Sequence, residues 1–146
     1  MEDTNGSALP RLAVSCAVVR GSTVLLVRRG RAPAKGRWAF PGGSVLSGER
    51  MEHAARREVL EETALRLGPP RFVRHHEVIE RDAKGRLLHH YVIAVHGADL
   101  LPEDADAEPV AGDDAAEARF VAFGDLHALD VIETIPETLR MMGALA

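Results

Sequence analysis

The chain has 146 residues, 46% hydrophobic and 27% charged, a balance expected of one globular domain over residues 1–146 with a sizeable core. No apolar run is long enough to cross a bilayer, and a net charge of −4 disfavours a nucleic-acid binder. Cys16 is the only cysteine, so an intramolecular disulfide is excluded and a reducing cytoplasm is the expected setting.

The amino-terminal MEDTNGSALPR has no basic start followed by an apolar block, so no leader is expected. Leu12 to Val19 is apolar and β-rich, as in a buried strand. Gly21-Ser22 reads as a tight turn, and Thr23 to Arg29 as the partner strand. A twenty-residue segment dense in Gly and Pro follows, long for a connection in a compact domain and therefore a functional candidate. Arg50 to Ala64 is rich in strong helix formers, with Ser47 as a candidate cap and Glu49 suited to the positive end of the helix dipole. Gly68-Pro69-Pro70 stops further helix. Phe72–Ile79 and Leu87–Val95 read as strands joined by a turn at Asp82-Ala83-Lys84-Gly85. Ala118–Phe123 is a short strand, and Ile135–Ala146 a second helix capped by Thr134. This order predicts an α+β fold with helices packed on a mixed sheet.

Charge is unevenly spread along these elements. Residues 99–117 hold eight acids and no Lys or Arg, leaving fourteen acids against eighteen bases elsewhere. The acidic stretch reads as a solvated loop. The basic excess, much of it between Arg11 and Arg37, suits a small anionic ligand.

Within the first helix, Glu58, Glu61 and Glu62 span an arc of about 100°. Neighbours at this spacing lie roughly 5–6 Å apart at Cβ, where two carboxylates repel by roughly 3 kcal/mol at an effective dielectric near 20. A solvated acidic face, with Arg57 reaching Glu61 one turn on, is the plain account. A hard divalent cation such as Mg²⁺, which prefers oxygen ligands, is the functional one. Upstream, Trp38-Ala39-Phe40-Pro41-Gly42-Gly43 is a turn whose glycines let bare backbone approach a neighbour.

From Gly43 the chain runs five residues to Glu49, seven to Arg57-Glu58-Val59, then through Glu61-Glu62 to Ala64-Leu65. This resembles the Nudix box. Every fixed position over 23 residues matches except Ala64, where the pattern has Gly. Alanine there either lengthens the helix or takes a left-handed turn at a cost of roughly 1 kcal/mol. The lead-in WAFPGG and the strand TVLLVRR also resemble the family.

The resemblance implies a Nudix α/β/α sandwich with a loop-helix-loop, and Mg²⁺- or Mn²⁺-dependent hydrolysis of a nucleoside diphosphate linked to another group. By the same likeness, Glu58 and Glu62 are metal ligands, Glu61 serves a second ion or orients water, and the Gly43 carbonyl is a backbone ligand. Arg57 pairs with Glu49 to hold the loop-helix-loop in shape. The water-activating base varies in the family. Asp113, Asp114 and Glu117 are candidates, and Asp114 is preferred. Arg28 and Arg37 are candidates for substrate phosphates, although alternation lets only one of Arg28 and Arg29 face the site. Phe40 and Trp38 offer a stacking surface for a base, with core packing as the plainer use. Adjacent histidines at 75–76 and 89–90 face opposite ways on a strand, so they do not form a zinc site. Cys16 reads as a small buried hydrophobe. There is no nucleophilic serine signature and no dinucleotide-binding glycine fingerprint.

Segments RLLHHYVIAVHGADL and GDDAAEARFVAFGDL resemble small bacterial members linked to ADP-ribose or related nucleotide sugars, which makes these the expected substrates. The proline that often follows the box in ADP-ribose hydrolases is missing. A nucleoside triphosphate, oxidised ones included, is the alternative, and a non-catalytic nucleotide sensor is a third reading. Family members are often homodimers; no segment here marks an interface.

Overall fold

The computed structural model describes residues 9–146. The first eight residues, on which the expectation of no leader mainly rests, lie outside them. Strand β1 (Arg11–Arg20) turns at Gly21 (φ 61°) into β2 (Thr23–Arg29). Short strands β3 (Trp38–Ala39) and β4 (Gly42–Ser44) break up the long Gly- and Pro-rich segment. Helix α1 (Met51–Thr63), the hairpin β5 (Arg71–Arg81) and β6 (Leu87–Ala98), strand β7 (Ala115–Ala122) and helix α2 (Thr134–Met141) follow.

The main strand order is β3-β2-β1-β6-β5, with β4 paired to β1 and β7 to β2. Only β1 and β6 run parallel, from Arg11 opposite Tyr91 to Val18 opposite Ala98; the other pairs are antiparallel. The mixed sheet agrees with the α+β expectation. Strand β1 reads as a continuous apolar run because both its faces are covered. Cys16 and Val18 pack with Leu25 of β2 and Val59 of α1 on one side. Ala17 packs with Val24, Leu26, Trp38 and the α2 residues Ile135 and Leu139 on the other. Burial pushes the Cys16 thiol up to about 12, so it is an inert apolar filler. No described helix is long and apolar enough to cross a membrane.

Several boundaries differ from the sequence reading. Neither helix uses the expected side-chain cap: Arg50 and Glu133 occupy the N-cap positions without a capping bond, so Ser47 and Thr134 do not cap. In the loop before α1 the Glu49 carboxylate instead accepts the Leu46 N–H at 3.1 Å. Helix α2 stops at Met141 because Gly143 (φ 76°) takes the left-handed turn. There Gly143 N–H donates to the Arg140 carbonyl and Ala144 N–H to that of Leu139, a Schellman closure. Strand β7 starts three residues early, pairing Ala115 and Glu117 with Arg29 and Arg28 across a bulge. Within the acidic stretch, Asp104 is buried, not solvated. It accepts the Arg66 backbone N–H at 2.8 Å and both sides of its guanidinium at 3.0 and 3.1 Å.

Ala64 adopts φ 62°, ψ 14°, closing α1 with its N–H on the Leu60 carbonyl. The left-handed turn of the box is thus kept without its glycine. Relieving the Cβ clash should outweigh the extra freedom that glycine gives the unfolded chain. Ala64→Gly is expected to raise stability by about 0.5 kcal/mol in urea denaturation, with no change in spectroscopic helix content.

Candidate active site

The site begins at the glycine pair of β4. Ser44, Gly43 and Gly42 lie opposite Ala13, Val14 and Ser15 of β1, with α1 on their other side. A Cβ on Gly42 would collide with the Val14 carbonyl, and one on Gly43 would lie 2.5 Å from the Glu58 carboxyl carbon. Two residues without side chains therefore let the backbone pass between β1 and the acids of α1. The Gly42 N–H uses this closeness to donate to Glu62 Oε1 at 2.8 Å.

Arg57 holds the acids in place. Its Nε and Nη2 grip the two oxygens of Glu49 at 2.8 and 3.0 Å, and Nη2 also donates to the Ser44 carbonyl at 3.0 Å. Its Nη1 reaches Glu58 at 2.8 Å and Glu61 at 3.3 Å. One planar fork thus ties the loop before α1 to two carboxylates of the helix, a task a lysine could not match. The same contacts hold the Glu49 carboxyl down at about 2, Arg57 first and the Leu46 N–H second. They also raise Arg57 above its already high range, led by Glu49.

Glu58 and Glu62 respond in the opposite sense. Burial raises Glu58 despite Arg57 beside it. Burial, opposed by the Gly42 N–H and reinforced by Glu58, lifts Glu62 to about 8. Without a counter-ion these acids are poorly compensated, and a bound cation would reverse the balance.

A second segment completes the cluster. Val110 N–H donates to the Thr63 carbonyl at 2.9 Å, and Gly112 N–H to that of Glu62 at 3.1 Å. A Cβ on Gly112 would stand 2.7 Å from the Glu61 carbonyl, so only glycine allows this docking. The strap delivers Asp113 (φ 51°) to the glutamates, and one carboxylate oxygen each from Glu58, Glu61 and Asp113 lies within 4.8 Å of the others. Three hard oxygen donors at this separation, beside the bare Gly43 backbone, fit a Mg²⁺- or Mn²⁺-sized ion.

Beyond Gly43 opens a cavity of about 410 Å³. Glu62 and Asp114 stand on its wall, and so do Arg11, Arg29 and Arg31. Arg29 Nε is held by the Pro33 carbonyl at 2.6 Å, and Arg31 pairs with Asp114 at 2.7 Å. Phe40 borders the cavity while belonging to the α2-side core.

The structure brings together Gly43, Arg57, Glu58, Glu61 and Glu62, and sets Asp114 on the cavity wall beside them. It does not bring Arg28 or Arg37 there. Arg28 faces away from the cavity and pairs with Glu117 at 3.0 Å; the strand alternation selects Arg29 instead. Arg37 is tied to Asp130 at 3.1 Å and Glu133 at 2.9 Å, anchoring its loop to the approach of α2. Trp38 is core, with the Arg119 guanidinium 4.7 Å from its ring centre. Sequence reasoning preferred Asp114 to Asp113, and it missed Arg11, Arg31, His76 and Tyr91 on the cavity wall. For His76 the period-two alternation was visible, but not which face of the strand would be lined.

Residues 9–141 match the family model described as the NUDIX domain, and the chain belongs to the NUDIX hydrolase family. It is similar to the ADP-ribose pyrophosphatase of Methanocaldococcus jannaschii, 33% identical over 121 residues that cover 82% of this chain and 66% of that protein. A 58-residue stretch is 47% identical to a Mycobacterium tuberculosis protein named for 8-oxo-dGTP diphosphatase activity, covering 39% of this chain and 41% of that protein. The chain thus spans less than two thirds of either curated relative. Among solved structures, a MutT NUDIX hydrolase from Burkholderia pseudomallei superposes with a TM-score of 0.75 at 28% identity, over 91% of this chain and 98% of that one.

The Glu62 environment makes a pH-dependent prediction. Its carboxyl titrates near 4.5 in the unfolded chain and about 8 in the ion-free fold. Between those values the folded state keeps a proton that the unfolded state releases, so the stability it contributes is present below pH 4.5 and is lost as pH rises through 8. Glu62→Gln keeps an acceptor for Gly42 and removes the titration. In EDTA it should match the wild type near pH 4 and exceed it by roughly 3–5 kcal/mol at pH 8.5, as read by urea denaturation.

Proposed function

We propose that the chain is a metal-dependent pyrophosphohydrolase that cleaves the diphosphate link of a nucleoside diphosphate bearing a second group, ADP-ribose or a similar nucleotide sugar, to release a nucleoside monophosphate. The observation that carries this reading is the meeting of opposite charges at Gly43. Carboxylates of Glu58, Glu61 and Asp113 converge on one side, and the arginine-lined cavity opens on the other. The relative from Methanocaldococcus jannaschii supports the choice of substrate.

Glu58, Glu61 and Asp113 would hold the cation, with Glu62 and the Gly43 carbonyl beside them. A bound Mg²⁺ or Mn²⁺ supplies neutralisation of phosphate charge and acidifies water in the site. The protein's own groups do the rest. Arg57 keeps the carboxylates at fixed spacing before any ligand arrives. Arg29, whose terminal nitrogens have no partner among the described residues, and Arg31 receive phosphate oxygens. Water attacks one phosphorus, the bridging P–O bond breaks, and its electron pair leaves with the other phosphate. The water proton passes to Asp114, the acid on the cavity wall outside the glycine-bound helix face.

A triphosphate substrate is the second reading, favoured by the 47% identity to the mycobacterial relative across 58 residues. Mass spectrometry of products from ADP-ribose and from 8-oxo-dGTP, each with Mg²⁺, separates the two. Tight nucleotide binding with no monophosphate from any nucleotide would make the chain a sensor instead.

Neutral variants distinguish the two loop acids. Asp113→Asn should weaken Mn²⁺ binding by roughly 10- to 100-fold in calorimetry. Asp114→Asn should leave that affinity within about threefold while lowering kcat by roughly 10²- to 10³-fold.

A further inference from the structure

The cavity has a second half that the phosphate chemistry does not use. On one face of the β5–β6 hairpin, His76 lies opposite Ile93 and Val78 opposite Tyr91. Directly opposed residues stand about 5 Å apart at Cβ, and residues two apart on a strand about 6.7 Å. These four half-buried side chains therefore tile a patch close to the size of one aromatic ring system, and all four border the cavity. Pro33 and Ile132 border it as well. Pro33 is held through its carbonyl by Arg29, and Ile132 by its N–H on the Trp38 carbonyl at 3.0 Å.

The chemistry of this half is selective. It offers aliphatic walls and one aromatic ring, with the His76 ring and the Tyr91 hydroxyl as the polar groups of the platform and Arg11, paired beside Tyr91 on β1, at its margin. The Tyr91 ring lies nearly parallel to that of His89, 6.2 Å between centroids and 23° between planes. A sugar, which needs many donors and acceptors, would be poorly served here; a flat heteroaromatic ring with a polar edge would be well served. Strand β6 lies two strands across from β4, so Ile93 stands about 10 Å from Gly43 along the sheet. A ribose can bridge that interval between a base and its phosphates.

We infer that the platform of His76, Val78, Tyr91 and Ile93 is the nucleobase slot, that Tyr91 supplies its stacking surface, and that His76 reads the polar edge of the base. This rests on the proposed nucleotide chemistry of the same cavity. It adds that selectivity falls on the base, through residues of β5 and β6 outside the box.

The test uses two ligands whose P–C–P bridge cannot be hydrolysed, α,β-methylene-ADP and methylenediphosphonate, titrated calorimetrically with Mg²⁺ present. The wild-type chain should bind the base-bearing ligand at least tenfold more tightly. Tyr91→Ala should shrink that gap to threefold or less, with methylenediphosphonate affinity unchanged. Tyr91→Leu, which keeps bulk in the sheet, should lose the same preference if the alanine variant does not fold. His76→Gln should shift the ratio of α,β-methylene-ADP to α,β-methylene-GDP affinity at least fivefold. Equal binding of the two ligands by the wild type, or equal weakening of both in Tyr91→Ala, would overturn the slot. A preserved gap with no monophosphate released from any nucleotide would leave the slot standing and overturn the hydrolytic reading. Turnover without a gap would do the reverse.

Discussion

Arg57 is the interaction on which the rest of the site depends. Three glutamates on little more than one turn of helix repel one another, and burial makes that worse for Glu58 and Glu62. A single guanidinium offsets part of this by meeting Glu58 and Glu61 from one end while gripping Glu49 with the other. Because Glu49 belongs to the loop and Glu58 to the helix, the same group fixes the angle between them. It leaves a surplus of negative charge, and that surplus is what gives the site its appetite for a divalent ion.

The glycines complement this arrangement from the backbone side. Gly42 and Gly43 bring main chain against the acids, and Gly112 brings a distant segment against the end of the same helix. In each case the requirement is lack of volume, not a special torsion. The left-handed positions are a separate matter, and at Ala64 the chain tolerates an ordinary residue in one of them.

Much of this was legible before any coordinates. The spacing from Gly43 to Glu62 is local, and a helix converts spacing into a common face without further information. Strands β1 and β2 were equally clear, since a turn at Gly21 separates two apolar runs. What was hidden depends on pairing between remote segments. The choice between Arg28 and Arg29 turns on which face β2 presents, and that is decided by its neighbours β1, β3 and β7. Asp113 reaches the cluster through main-chain bonds from residues 110 and 112 to the end of α1, which no side-chain pattern announces. Asp104 looked like one of eight solvated acids, yet it closes on Arg66, thirty-eight residues away. The cap expected at Ser47 failed for a related reason: Glu49 is committed to Arg57 and Leu46, in a loop that leaves Ser47 unused.

The docking of residues 110–112 onto the helix end has a bearing on how such a chain can diversify. Whatever lies between the end of β6 and Val110 is insulated from the chemistry, because Asp113 takes its position from the clamp and not from the path leading to it. Residues 105–109 form a detour exposed at Ala105, Asp106 and Glu108 and tethered at Ala107, which packs against the core and whose carbonyl accepts from Arg20. Lengthening that detour, or grafting a foreign peptide into it, would alter the outline of the molecule while the reacting groups kept their places.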